Sequence, residues 1–305
     1  MYKRQLSNDE GTLKTRYGVP NESRFTEGNA TYYINPKAAP VICFAKPSLH
    51  NVSHNTPGPV NIWNLDKGFL IQSVTPSSYG SNFPTTGANK LYFDLIIGGS
   101  NAQALSWAPV SHDKITATMT DSTSTSVKVT LTGPYATKRQ QEVDAASFID
   151  RPSLPQTFEL VGRDSSGNAV VKYGFELKQW FVNRGDYMHT DSWCSHMRAR
   201  YLRVKDLTNA SCRGVGAHSS ICRSATPTSP DEYFRRHIGA GFFSEWGRVD
   251  SYANAGFHGD YPTDDYNGRP VHNGYGNFSV YTSGKVYEEP GGRDRYGLCV
   301  FPNTW

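Results

Sequence analysis

Four of the five cysteines in this 305-residue chain lie beyond residue 190. Two of them bracket that region, Cys194 in TDSWCSHM and Cys299 in RYGLCVFP. A bridge between this pair ties the two ends of one domain together. Closing a loop on the order of a hundred residues removes several kcal/mol of unfolded-chain entropy. Buried free thiols are the competing explanation, since free cysteine also behaves as a small core residue. Cys212 and Cys222 flank the short stretch RGVGAHSSI and are expected to form a second, local bridge. Four cysteines allow three connectivities, among which sequence does not choose. Cys43 is left over and reads as a small buried hydrophobe. Disulfides persist in oxidising compartments, so the expectation is a secreted or surface-exposed protein.

Charged residues make up 19% of the chain and the formal net charge is +4, too small and too evenly spread to suggest nucleic acid. The length suffices for two hydrophobic cores. No apolar run is long enough to span a bilayer. Residues 1–27 are polar and without periodicity, and they lack the apolar core of a signal peptide. They are expected to be a disordered or non-native leader, on a fragment whose export signal lies upstream.

From residue 28 to about 175, Pro, Gly, Asn and Ser punctuate short stretches rich in Val, Ile, Thr, Tyr and Phe. Strands are expected at Thr31–Ile34, Val41–Ala45, Lys90–Ile97, Lys114–Thr118, Ser126–Leu131, Thr157–Val161 and Ala169–Leu177. This spacing fits an all-β sandwich better than a βαβ fold. In SVKVTLTG, Val127, Val129 and Leu131 should face inward, and Lys128 and Thr130 outward. Gly162 to Asn168 is expected to turn a hairpin. Trp63 and Trp107 read as packing residues. No spacer follows, so a second domain, 176–305, should join rigidly near Phe175.

In that second domain, helices are expected at Thr190–Arg198, at Val204–Ala210 and at Tyr233–Ile238. Strands are expected at Asn277–Tyr281, Val286–Glu288 and Tyr296–Phe301. A long irregular segment should run from Gly247 to Gly276; such loops are usually functional.

These elements carry a resemblance. FELKQWFVN, the helix DSWCSHM, VKDLTNA, a long loop and the last strand YGLCVFP look like a C-type-lectin-like domain. The run from NRG through DLTNA, GFFSEWG and FSVYTSGKVYE to RYGLCVFP resembles the carboxy-terminal head of bacterial outer-membrane adhesins of the intimin and invasin type. Upstream, FPTTGANKLYFDL, ITATMT, VTLTGP and FELVGRDSSGNAVVKYGF resemble the module that precedes such a head. The resemblance implies a mainly β chain: an Ig-like or related β-sandwich followed by an α+β, C-type-lectin-like domain. It further implies a non-enzymatic, calcium-independent adhesin tip at the bacterial cell surface, or secreted. The partner would be a host-cell receptor, a matrix protein or a glycan. An anchoring β-barrel would lie upstream, and this fragment would touch neither membrane nor nucleic acid.

The site residues follow from composition. The segment around DYPTDDYNGR offers Trp246, Tyr252, His258, Tyr261, Asp264, Asp265, Tyr266, Arg269, His272 and Tyr275 as receptor-binding candidates, aromatics mixed with Arg and polar groups. Its acidic residues, with Asp260 and Asn267, could offer oxygens to Ca²⁺ but lack the alternation and terminal Glu of an EF-hand loop, so a solvated loop is expected. Tripeptides of calcium-dependent sugar binders are absent. The histidines have no zinc-site spacing, and no metal or cofactor is expected. Arg184-Gly185-Asp186 spells an integrin-binding tripeptide but reads as a structural turn. Asn-X-Ser/Thr sequons at Asn21, Asn29, Asn51, Asn209 and Asn277 carry no information for a bacterial protein. No GxSxG, HExxH or phosphate loop is present. A phage tail-tip protein, and an enzyme of the formylglycine-generating type with reactive cysteines on a lectin-like scaffold, are the alternatives.

Overall fold

The structure, a computed structural model, describes residues 2–14, 22–34, 39–49, 58–99, 103–143, 148–185, 189–210, 234–271, 274–288 and 295–302. They fall into two compact units, Met1–Ala39 and Pro40–Trp305. The first unit holds β1 (Tyr2–Asn8), β2 (Gly11–Lys14), β3 (Glu22–Phe25) and β4 (Gly28–Ile34). β1 pairs with β4 and β2 with β3, both antiparallel. Lys14 and Glu22, opposite each other in the β2–β3 ladder, form an ion pair at 3.3 Å. Residues 1–27 thus contribute three strands.

The second unit begins with β5 (Val41–Lys46), β6 (Trp63–Asn64), β7 (Gly68–Leu70), β8 (Thr86–Ala88), β9 (Tyr92–Gly98), β10 (Ser106–Trp107), β11 (Val110–His112), β12 (Ile115–Thr120) and β13 (Ser126–Thr132). A one-turn helix, α1 (Lys138–Gln141), leads to β14 (Gln156–Arg163) and β15 (Ala169–Leu177). Seven strands form one sheet in the order β11-β12-β13-β9-β5-β7-β6, and β10-β14-β15 form another. Period-two alternation decides which side chains meet between them. Val127, Val129 and Leu131 of β13 are fully buried, as are Phe158 and Leu160 of β14. The ring of Phe93 on β9 lies 6.1 Å from that of Phe175 on β15, and Phe158 stacks on Phe175 at 5.1 Å. The Gly162–Asn168 turn joins β14 to β15 as expected. Trp63 is 3% exposed and Trp107 packs against the same core.

The chain then passes from β15 to β16 (Gln179–Arg184) through Lys178 alone, whose N–H donates to the Thr85 carbonyl at 2.7 Å. There follow α2 (Thr190–His196), β17 (Arg200–Tyr201), α3 (Val204–Leu207), α4 (Phe242–Trp246), β18 (Asp260–Val271), β19 (Gly274–Tyr281), β20 (Val286–Glu288) and β21 (Gly297–Phe301). One sheet has the order β17-β21-β16-β8, antiparallel except that β8 lies parallel to β16. A strand from the upstream half therefore completes the sheet of the downstream half. Trp180 on β16 is buried against Gly87 and Gly133, where an added Cβ would come within 3.0 and 2.5 Å of its ring. Its indole N–H donates to the Pro134 carbonyl at 2.8 Å. The whole fold is mainly β, with its short α-helices concentrated after residue 189.

Two expectations need correction. Residues 234–238 are not helical; the helix begins later, at Phe242. The Asn209 side-chain amide binds both the N–H and the carbonyl of Arg235, at 2.7 and 3.0 Å, taking the backbone groups a helix would use. The segment from Gly247 to Gly276 is irregular only in its first half. From Asp260 it forms β18, paired with β19 through two register shifts, one after Pro262 and one before Pro270. Proline cannot donate to a ladder, which explains both the shifts and the missing alternation.

Candidate functional site

The scaffold of the downstream half is the Cys194–Cys299 disulfide, which joins α2 to β21 across a sequence separation of 105 with Cα atoms 5.5 Å apart. Both cysteines are buried. Asp191 in the first turn of α2 suits the helix dipole. Next to the bridge, Trp193 is fully buried and its indole N–H donates to the Gln140 carbonyl of α1 at 3.0 Å. Cys212 and Cys222 lie outside the described residues. Cys43 is free and half-buried, so it is more accessible than a core hydrophobe.

Arg184, the first residue of the integrin-type tripeptide, is 2% exposed, with its guanidinium over the Trp193 ring at 5.5 Å. It packs inside the fold at the end of β16; Asp186 lies outside the described residues.

The receptor-binding candidates divide sharply. Trp246, Tyr252 and Tyr261 are at most 2% exposed, so a partner cannot reach their side chains. Trp246 packs on Phe83 at 4.8 Å and donates from its indole N–H to the Thr86 carbonyl at 2.9 Å. The Tyr252 hydroxyl donates to the Trp246 carbonyl and accepts from the Ser48 N–H, at 3.1 and 2.8 Å. Tyr261 accepts the His258 N–H at 3.0 Å. Burial raises both tyrosine pKa values well above the ordinary range. Asp264 is exposed, and Asp265 is half-buried and accepts the Val204 N–H at 2.6 Å, fastening β18 to the start of α3. Burial raises the Asp265 carboxyl above its ordinary value. Among the described residues no cluster of three or more His, Cys, Asp or Glu side chains could hold a metal ion. Tyr266 and Arg269 lie on β18 and Tyr275 on β19, while His272 lies outside the described residues. His258 is exposed, its ring 5.7 Å from that of Tyr296.

Behind Trp246 lies a buried polar joint. The fully buried Glu245 carboxylate accepts from the N–H and hydroxyl groups of both Thr85 and Thr86, at 2.6–3.1 Å, and from the Gly239 N–H at 2.8 Å. Burial lifts this carboxyl above its ordinary value, against the pull of those hydrogen bonds. Arg236, 1% exposed, donates to the carbonyls of Glu245 and Ser48 at 2.6 and 3.1 Å and lies 4.6 Å over the Trp63 ring. Burial lowers its pKa to about 10.

His258 and Tyr296 open onto a cleft of about 320 Å³ beside the β8–β16 pairing. Asn89, Lys90, Tyr135 and Gln141 line it from the upstream half, and Asn183 and Asn254 from the downstream half. Among the described residues no Asp or Glu lines it. Sequence reasoning found only His258 here. The rest come from turns, strands and α1, scattered over two hundred residues, and none carries a motif. Lys90 and Asn254 share a local peculiarity, a φ of 68°.

No protein-family model and no curated protein matches the chain. Among solved structures it is similar to invasin, described as a bacterial integrin-binding protein, at 12% identity and a TM-score of 0.49, over 98% of this chain and 50% of that one. It is also similar to a mutant of intimin from EHEC O157:H7, at 13% identity and a TM-score of 0.37, over 73% of this chain and 92% of that one. The chain therefore spans half the length of the invasin chain it matches.

Proposed function

We propose that the chain is the recognition end of a bacterial cell-surface adhesin. A β-sandwich of the Ig-like or related kind, 28–175, carries a C-type-lectin-like head, 176–305, and the chain attaches to a host-cell receptor, a matrix protein or a glycan. The single observation that carries this reading is the buried Cys194–Cys299 bridge, which fastens the first helix of the head to its last strand. Such a bridge belongs to an oxidising compartment. It also leaves neither Cys194 nor Cys299 as a free reactive thiol, which supports a non-catalytic role.

The test is attachment of the purified, oxidised chain to cultured epithelial cells, with EDTA or with reductant. Saturable attachment that survives EDTA and disappears on reduction is expected. Attachment that requires calcium would contradict the calcium-independent reading, and no attachment at all would contradict the adhesin reading.

A further inference from the structure

We propose that the cleft beside the β8–β16 pairing binds a carboxylated monosaccharide unit, the terminus of an acidic glycan, without a metal ion. This deepens the attachment reading by naming a ligand class for one place on the surface. Its size is the first argument: about 320 Å³ is near the lower end of ligand pockets, roughly 300–1,000 Å³, and suits one substituted sugar ring.

The hydrogen-bonding inventory is the second. Asn183 is fixed because its amide N–H donates to the Gly256 carbonyl. Gln141 uses its amide N–H on the Ala136 carbonyl at 3.0 Å, which leaves its carbonyl oxygen as an acceptor. Asn89 accepts from the Gly133 N–H at 3.2 Å, which leaves its amide N–H as a donor. A sugar hydroxyl both donates and accepts, so it matches such a mixed set of held amides. Tyr135, 56% exposed, offers an aromatic face at the rim against which the apolar face of a sugar ring can pack.

Charge is the third. Among the described lining residues Lys90 is the one Lys or Arg, it is exposed, and no described carboxylate lines the cleft beside it. An anionic ligand is therefore favoured over a neutral one. The described lining holds none of the carboxylates that a bound Ca²⁺ takes as ligands, so direct recognition by the amides and Lys90 is the reading it supports.

The experiment is titration of the oxidised full chain with N-acetylneuraminic acid, glucuronic acid and galactose, followed by saturation-transfer NMR. Saturable binding of an acidic sugar with a Kd of about 1–10 mM is expected, as for one small ligand making a handful of contacts. Lys90→Gln should weaken the acidic sugar about fivefold and erase its preference over galactose. Tyr135→Ala should weaken every sugar that binds. Both positions are exposed, and unchanged thermal melts will show that the variants fold. No saturable binding up to about 20 mM, or binding that neither variant alters, would overturn the proposal. Cell attachment by a chain that binds no sugar would assign the surface to a protein partner, leaving the adhesin reading intact. Sugar binding without cell attachment would do the reverse.

Discussion

Glu245 concentrates the energetics of the molecule in one side chain. A carboxylate with no exposed surface survives only because Thr85, Thr86 and Gly239 aim donors at it. Thr86→Val removes the 2.6 Å hydroxyl contact and leaves the carboxylate under-satisfied, which should cost about 2 kcal/mol. The sign of its pH dependence follows from the raised Glu245 pKa. The folded chain holds a proton that the unfolded chain has released, so stability falls as pH rises through the interval between the two values. Losing a donor to the ionised form lifts the folded value further. The Thr86→Val loss should therefore grow from acidic to neutral pH in denaturant titrations, and a pH-independent loss would contradict this assignment. None of this was legible beforehand. GFFSEWG reads as a recognition aromatic, yet Trp246 is enclosed by Phe83 and Thr86, about 160 residues away.

Among the elements, those with a strict period were legible. β13 buries Val127, Val129 and Leu131 as its alternation requires, and α2 begins at Thr190, where expected. β18 was not, because Pro262 and Pro270 break its ladder, and α4 was not, because five residues show no helical period. The link between α2 and β21 was legible from cysteine position alone. Replacing both Cys194 and Cys299 with Ala should lower stability by about 3–5 kcal/mol, given the loop of 105 residues that the bridge closes. Denaturant unfolding of the oxidised chain and the double variant will measure this. A loss below about 1 kcal/mol would mean that packing around Trp193, rather than the bridge, holds α2 in place.

At the scale of the whole unit Pro40–Trp305, the two halves share structure. β8 completes the sheet of the downstream half, Glu245 is satisfied by upstream threonines, and Trp180 seats against Gly87 and Gly133. Sequence indicated a rigid join from the missing spacer but not this exchange, because parallel pairing across some ninety residues leaves no local signal. The cleft is lined from both halves, so it keeps its shape only if they move together. The most direct measurement is hydrogen exchange of the oxidised chain through a denaturant titration, comparing Val127 and Val129 of the sandwich with Phe181 and Val182 of the head. We expect one transition with coincident midpoints for both sets. Two separated transitions, with the head opening while the sandwich stays protected, would contradict a single rigid body.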